Sequence, residues 1–323
     1  MTRVAAIDCG TNSIRLLVAD ANPVTGELVD LDRRMTIVRL GQGVDRTGRL
    51  APEALERTFE ACREYAAIIK RHGAERLRFV ATSASRDAEN RDEFVRGVLD
   101  VLGVEPEVIT GDEEAEFSFT GATKELTGRD DLAKPYLVVD IGGGSTELVV
   151  GDDHVRAARS VDIGCVRMTE RHLVHDGVVS DPPTPAEIEA IRADIEAALD
   201  LAELTVPLRE AHTLVGLAGS VTTVAAIALD LPAYDSAAIH HSRIPYEKVR
   251  EITERLLAST HAERAAIPSM HPGRVDVIAA GALVLLAIME RIGAAEVVVS
   301  EHDILDGIAY KVAEETEEGK NSD

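Results

Sequence analysis

The sequence predicts a mixed α/β protein made of two related domains, and three observations carry that expectation. Its 323 residues suit two domains of ~100–200 residues each. Strand-like apolar runs alternate with helix-length amphipathic segments along the chain. A short unit also recurs: laid without gaps over "VVDIGGGSTELVVGD", the opening "AIDCGTNSIRLLVAD" puts Asp8 on Asp140, Gly10 on Gly142 and Ser13 on Ser145. Each copy reads as a strand ending in Asp, a turn of glycine and hydroxyl residues, and a second strand, so the chain carries a shared internal unit. A dinucleotide-binding turn would need a helix directly after its glycines. Here Glu147, Leu148, Val149 and Val150 lead into Gly151 with β-rich character, so the glycines predict a hairpin instead.

Taken in order, the elements support this reading. "PEALERTFEACREYAAIIKRHG" has helical periodicity, a Pro near its start and Gly73 at its close. "LRFVAT" follows as a strand. Asn90 is placed to cap a helix ending at Gly103, "VEPEVIT" reads as a strand, and Thr110 with Glu113 forms a capping box that opens the next helix. After the second copy, the loop "SDPPTP" precedes Thr184 and Glu187, which repeat that start signal. "AHTLVGL" is a strand running into Ala218-Gly219-Ser220 and the helical "VTTVAAIAL", a third glycine and hydroxyl turn, suited to an anion. Helices near 245–258 and 274–292, the strand "EVVVS" and a last helix from about Asp303 follow. The tail "EETEEGKNSD" predicts disorder.

Composition narrows the function. Aromatic residues are 3% of the chain and Trp is absent, so aliphatic residues must fill the core and a base-stacking platform is disfavoured. Lys and Arg number 34 against 57 Asp and Glu, a formal charge of −23, which repels polyanions at long range and argues against a nucleic-acid polymer as partner. Cys9, Cys62 and Cys165 lie far apart without metal-ligand spacing, which predicts buried, reduced thiols in a cytoplasmic protein. The start "MTRVAAIDCG" has no secretory pattern. "VIAAGALVLLAIM" falls short of the ~18 residues of a membrane span and predicts a buried helix, so no membrane partner is expected.

Glycine lets backbone N–H groups approach an anion closely and hydroxyls add donors, so each turn can hold phosphate oxygens. Asp140 and Glu147 are better suited to Mg²⁺ or its waters, because this hard ion prefers oxygen ligands. Arg15 and Arg86, each beside a turn-like segment, have two readings, a bidentate clamp on phosphate or an ordinary ion pair. Glu113 is absorbed by the capping box. Glu114 is either an acid stabilising a helix start or a general base that takes a proton from water. His240 and His241 lack companions at metal spacing and receive no role. No Gly-x-Ser-x-Gly elbow or nucleophilic cysteine signature supports acyl transfer.

In this order and spacing, "AIDCGTNSIRLLVAD", "ATSASRDAEN", "ITGDEEAEFSFTGA", "VVDIGGGSTELVVG" and "GLAGSVTT" closely resemble the exopolyphosphatase/guanosine pentaphosphate phosphatase family over nearly the whole chain. The resemblance implies the duplicated actin-like ATPase (ribonuclease H-like) fold, two domains flanking a central cleft. They would be 1–125, to which 304–323 is a candidate to return, and 126–303. It implies that Glu114 is the catalytic base and that Asp140 and Glu147 position a divalent cation, Mg²⁺ or another, and the attacking water. Asn12, Ser13, Arg15, Arg86, Gly142, Gly143, Gly144, Ser145, Gly219 and Ser220 would contact phosphates. The implied reaction removes the terminal phosphate of inorganic polyphosphate, with guanosine pentaphosphate (pppGpp) as the alternative substrate and a homodimer as the expected assembly. A kinase or ATPase, or an actin-like regulatory protein without catalysis, is the rival on the same fold. Two departures from the family pattern bear on the substrate. Longer relatives carry further helical domains, which makes short polyphosphates the preferred substrate here. They also show an Arg where this sequence has Leu305, so one phosphate contact is expected to be missing.

Overall fold

The computed structural model describes the chain except residues 23, 24, 26, 127, 128, 130 and 321–323, and for 316–320 it describes the backbone alone. The chain divides into unit 1, Met1–Gly128 with Asp303–Asp323, and unit 2, Arg129–His302. Unit 1 opens with β1 (Thr2–Cys9), β2 (Ser13–Asn22), β3 (Glu27–Ile37), α1 (Val44–Thr47) and α2 (Pro52–His72). It continues with β4 (Arg76–Ala81), α3 (Ser83–Asp87), α4 (Arg91–Leu102), β5 (Glu107–Val108) and α5 (Gly111–Thr123). Unit 2 begins with β6 (Tyr136–Ile141), β7 (Thr146–Gly151), β8 (Val155–Val161) and α6 (Cys165–Leu173). Next come β9 (Val174–His175), β10 (Val178–Val179), α7 (Pro185–Glu203), β11 (Thr213–Leu217), α8 (Ala218–Ala228) and α9 (Ser236–Ile239). It closes with β12 (Arg243–Pro245), α10 (Tyr246–Ala258), α11 (His261–Ala265), α12 (Ile278–Ile292) and β13 (Glu296–Val299). The chain then re-enters unit 1 as α13 (Ile304–Lys320).

The two units repeat one topology. Unit 1 has strand order β3-β2-β1-β4-β5 and unit 2 has β12-β13-β11-β6-β7-β8. In each, three antiparallel strands joined in sequence lie beside parallel strands reached through helices. The repeat seen in the sequence is structural down to the turn. Gly10 N–H donates to Ser13 O at 3.0 Å and Gly142 N–H to Ser145 O at 3.1 Å. The register pairs Asp8 with Arg15 in one hairpin and Asp140 with Glu147 in the other.

Side chains alternate across the unit 1 sheet, as the pleat requires. Ala5, Ile7 and Cys9 pack with Tyr65 of α2 and Phe94 of α4, whereas Val4 and Ala6 pack with Ile308, Ala309 and Val312 of α13. Asp8 therefore shares a face with Val4 and Ala6, the face that α13 covers. In unit 2 the core centres on α12, buried from Ile278 to Met289 as its unbroken apolar run demands. No helix among the described residues is long and apolar enough to cross a membrane.

Short-range signals fix the ends of the helices. Thr110 with Glu113, and Thr184 with Glu187, form reciprocal capping boxes. Gly73 closes α2 at φ +66°, where a side chain would be strained. Three local expectations need correction. Asn90 stands at the start of α4 but does not cap it: its Oδ1 accepts from Leu50 N–H at 2.8 Å and its Nδ2 donates to Leu50 O at 3.1 Å. "VEPEVIT" contributes a strand of 2 residues only, because the helix cap at Thr110 follows at once. Residues 314–320, expected to be disordered, prolong α13, since glutamates extend a helix already anchored through Val312 and Ala313. The last part of that expectation, 321–323, lies outside the described residues.

α5 and α13 meet through two glycines. A Cβ on Gly121 would overlap the Asp303 carbonyl, and one on Gly307 would overlap the Phe117 carbonyl. Because backbone cannot yield as a side chain can, Gly307→Ala should destabilise the protein by about 1–3 kcal/mol. The measurement is a lower urea midpoint at unchanged slope.

Candidate functional site

The glycine turn between β6 and β7 is held by its carbonyls. Cys165 N–H donates to Gly142 O at 2.9 Å, and Val166 and Arg167 N–H donate to Gly143 O at 2.8 and 3.1 Å. Gly144 O receives Gly164 N–H at 3.1 Å and Arg167 Nε–H at 2.7 Å. In a planar trans peptide the carbonyl of one residue and the N–H of the next point in opposite directions. The N–H groups of Gly143, Gly144 and Ser145 are therefore turned away from the first turn of α6, an arrangement of consecutive donors suited to phosphate oxygens. Such close approach excludes side chains, and a Cβ on Gly164 would overlap the Gly143 and Gly144 backbone. Ser145 is buried at the end of this turn.

Asp140 and Glu147 stand opposite each other across β6 and β7, and Glu147 stands opposite Ser160 across β7 and β8. Paired positions bring Cβ atoms within ~4.5–5.5 Å. Both acids are buried, and Ser160 Oγ–H donates to Glu147 Oε1 at 2.7 Å, which orients that carboxylate. Two adjacent buried carboxylates, one of them oriented by a serine, make an all-oxygen donor set of the kind a hard divalent cation takes.

At the third turn, the N-terminus of α8, Ala218 has φ +66°, a strained value for a residue with a side chain. A Cβ on Gly219 would lie 2.6 Å from Arg274 Cζ, so the guanidinium rests against the glycine backbone. Thr223 Oγ1 accepts from Arg274 Nη1 at 3.0 Å, and the Tyr234 ring lies 5.9 Å from Cζ. Ser220 is buried against Cys165 and Gly281.

The first turn, in unit 1, is pinned in the same way. Thr11 O accepts from Gly41 N–H at 2.9 Å, and Asn12 O from Val38 and Arg39 N–H at 3.1 and 2.9 Å, so the N–H groups of Asn12 and Ser13 face the other way. Arg15 joins two buried acids. Its Nε and Nη2 donate to Asp8 Oδ2 at 3.0 and 2.7 Å, and its Nη1 donates to Asp303 Oδ2. Arg86, on α3, donates through Nη1 to Ile109 O at 2.9 Å and to Glu114 Oε2 at 3.2 Å. Glu114 is the fourth residue of α5 and only 7% exposed. Glu113 is spent on the cap, where the Thr110 backbone N–H holds its carboxyl below the usual range.

Unit 1 thus gathers Asn12, Ser13 and Arg15 at one turn and joins Arg86 to Glu114. Unit 2 gathers Asp140, Gly142, Gly143, Gly144, Ser145 and Glu147 at a second turn, with Gly219 and Ser220 at a third. Sequence reasoning missed Arg274, Arg167, Ser160 and Asp303. Nothing local marks Arg274, which lies 55 residues beyond the glycine it touches. Leu305, where an arginine was expected in relatives, is buried in the apolar cluster under α13.

A model described as the Ppx/GppA phosphatase family matches residues 17–316. The chain is 54% identical to exopolyphosphatase 2 of Mycobacterium tuberculosis, over 97% of this chain and 99% of that protein. It is 30% identical to the guanosine-5'-triphosphate,3'-diphosphate pyrophosphatase of Aeromonas hydrophila, over 95% of this chain and 58% of that protein. Among solved structures, an exopolyphosphatase-like protein matches with TM-score 0.89 at 46% identity, covering 95% of this chain and 97% of that one. The Aquifex aeolicus member of the Ppx/GppA family matches with TM-score 0.80 at 30% identity over 98% of both chains.

The shared guanidinium predicts a pH dependence. Burial pushes the Asp8 carboxyl up, and Arg15 offsets this only in part. Burial also pushes Asp303 up, but Arg15, Arg33 and the Leu305 N–H outweigh it and hold Asp303 below the usual range. A raised acid is favoured by folding in its neutral form. Its contribution to stability is complete below about pH 4 and is lost as pH rises through the folded value. Asp8→Asn, which mimics the neutral acid, should remove that loss, seen as a flatter fall of Tm with rising pH in thermal melts.

Proposed function

The chain belongs to the Ppx/GppA phosphatase family, and from that premise we propose that it is an exopolyphosphatase, removing the terminal phosphate of inorganic polyphosphate by attack of water. The observation that carries this reading is the turn at 142–145, where the carbonyls of Gly142, Gly143 and Gly144 are held by α6 and the Gly164 before it, so that the three N–H groups that follow them are turned away from that helix, toward an anion. The substrate choice rests on similarity to a relative named exopolyphosphatase 2 at 54% identity, against 30% for relatives named as guanosine pentaphosphate enzymes.

In this reading Glu114 is the base that takes a proton from water, and Arg86 holds its carboxylate in place. Asn12, Ser13, Gly143, Gly144, Ser145, Gly219 and Ser220 offer backbone donors to phosphate oxygens, Gly142 shapes the turn through its own N–H bond to Ser145 O, and Arg15, Arg86 and Arg274 supply positive charge. Asp140 and Glu147 fit a divalent cation, Mg²⁺ being the natural choice, since the set is buried, paired across strands and all oxygen. Such an ion would draw negative charge from the transferring group. No covalent intermediate is needed. Three buried, unpaired thiols accord with a cytoplasmic enzyme, and a homodimer belongs to the same proposal.

The test is phosphate release from polyphosphates of defined length, pppGpp and ATP with Mg²⁺. Turnover of polyphosphate is expected, abolished by chelation and restored by the metal. Turnover confined to ATP would sink the assignment, and preference for pppGpp would move it to the guanosine branch. Glu114→Gln should lower kcat by about 10²–10⁴-fold while polyphosphate binding, followed by calorimetry, persists.

A further inference from the structure

We propose that Arg167 is a positioning residue for this reaction: through the Gly144 carbonyl it sets the direction of the Ser145 N–H, and so acts on the transferring phosphoryl group without touching it. The inference rests on the phosphohydrolase reading and deepens it.

The carbonyls of Gly142 and Gly143 are taken by backbone N–H groups of α6, which almost any residues at 165–167 would supply. Gly144 O is different. Of its two donors, the shorter at 2.7 Å is the Arg167 side chain, a charge-assisted bond, and the longer at 3.1 Å is Gly164 N–H. On its other edge Arg167 reaches Asp162 at 3.8 Å, a carboxylate 72% exposed, and a pair so long and so wet fixes little. The Arg167 side chain itself is 13% exposed, so its bond to Gly144 O is largely shielded from water.

Unit 1 shows the alternative construction. Asn12 O, which the repeat aligns with Gly144 O, is held by two backbone N–H groups, those of Val38 and Arg39. In unit 2 a side chain replaces one of them, which puts the orientation of a single peptide under the control of one residue's identity. The same bond polarises that peptide, and a carbonyl pulled by a cation makes its partner N–H a stronger donor. Donors aimed where charge develops act mainly on the transition state.

Arg167→Met keeps the length of the side chain and removes its donors. For phosphate release from polyphosphate, kcat should fall about 10–10²-fold with KM moving less than about threefold. Arg167→Lys, which keeps a cationic donor, should recover part of the loss. A loss carried by KM would mean direct contact with substrate and overturn the proposal, as would an unchanged kcat in a variant with wild-type Tm. If Arg167→Met does not fold, the wild type decides by ¹⁵N NMR with inorganic phosphate and Mg²⁺. The amides of Gly143, Gly144 and Ser145 should shift while the Arg167 Nε–H stays protected from exchange. Unmoved turn amides, or a rapidly exchanging Nε–H, would refute it. A wild type inactive on polyphosphate counts against the hydrolase reading alone, and the positioning role is then judged on those amide signals.

Discussion

A peptide group cannot aim its N–H at a ligand without aiming its carbonyl the opposite way, and both hairpin turns are built around that constraint. In unit 2 the first turn of α6, with Gly164 just before it, supplies donors for the carbonyls of Gly142, Gly143 and Gly144. In unit 1 the segment 38–41 does the same for Thr11 and Asn12. The close approach then dictates the small residues: Gly164 lies on the second turn, and a Cβ at Gly41 would overlap Thr11. This is how a chain of net charge −23 can offer sites to an anion. The donors are oriented dipoles, and the few arginines nearby are themselves anchored to protein acceptors.

The two copies share a backbone and differ in charge. Where β2 places Arg15 opposite Asp8, β7 places Glu147 opposite Asp140. One pair is neutralised internally, with Asp303 drawn in as a second acid on the same guanidinium. The other pair concentrates negative charge and so suits a cation. The same geometry occurs twice, and the residue at one position across the pleat, Arg15 or Glu147, gives each copy its own electrostatic character.

Features encoded within a few residues were legible from the chain alone. The strand, turn, strand repeat, the capping boxes at Thr110 and Thr184 and the closing Gly73 all depend on neighbours in sequence. The buried helix at 278–292 was visible from its apolar run. What stayed hidden depends on contacts between distant segments. Asn90 has the chemistry of a cap, yet Leu50, brought close by tertiary folding, takes both ends of its amide. Arg15 was readable as a clamp or an ion pair, and the second acid on its guanidinium, Asp303, lies 288 residues away. Arg274 and Ser160 carry no local signal at all. Nor could the chain alone show that Ser145 and Ser220 are both buried, Ser220 against Cys165 and Gly281.

The return of α13 to unit 1 sets an order of assembly. Unit 2 is one continuous stretch, Arg129–His302, whereas unit 1 is interrupted by it. Val4, Ala6 and Leu17 find their apolar partners in Ile304, Ile308 and Val312. As the ribosome works from the amino end, the first strands to emerge must wait with one face uncovered while the whole of the inserted unit is made. The second domain in sequence is thus the first that can be finished, and until α13 is made that apolar face stays open to water.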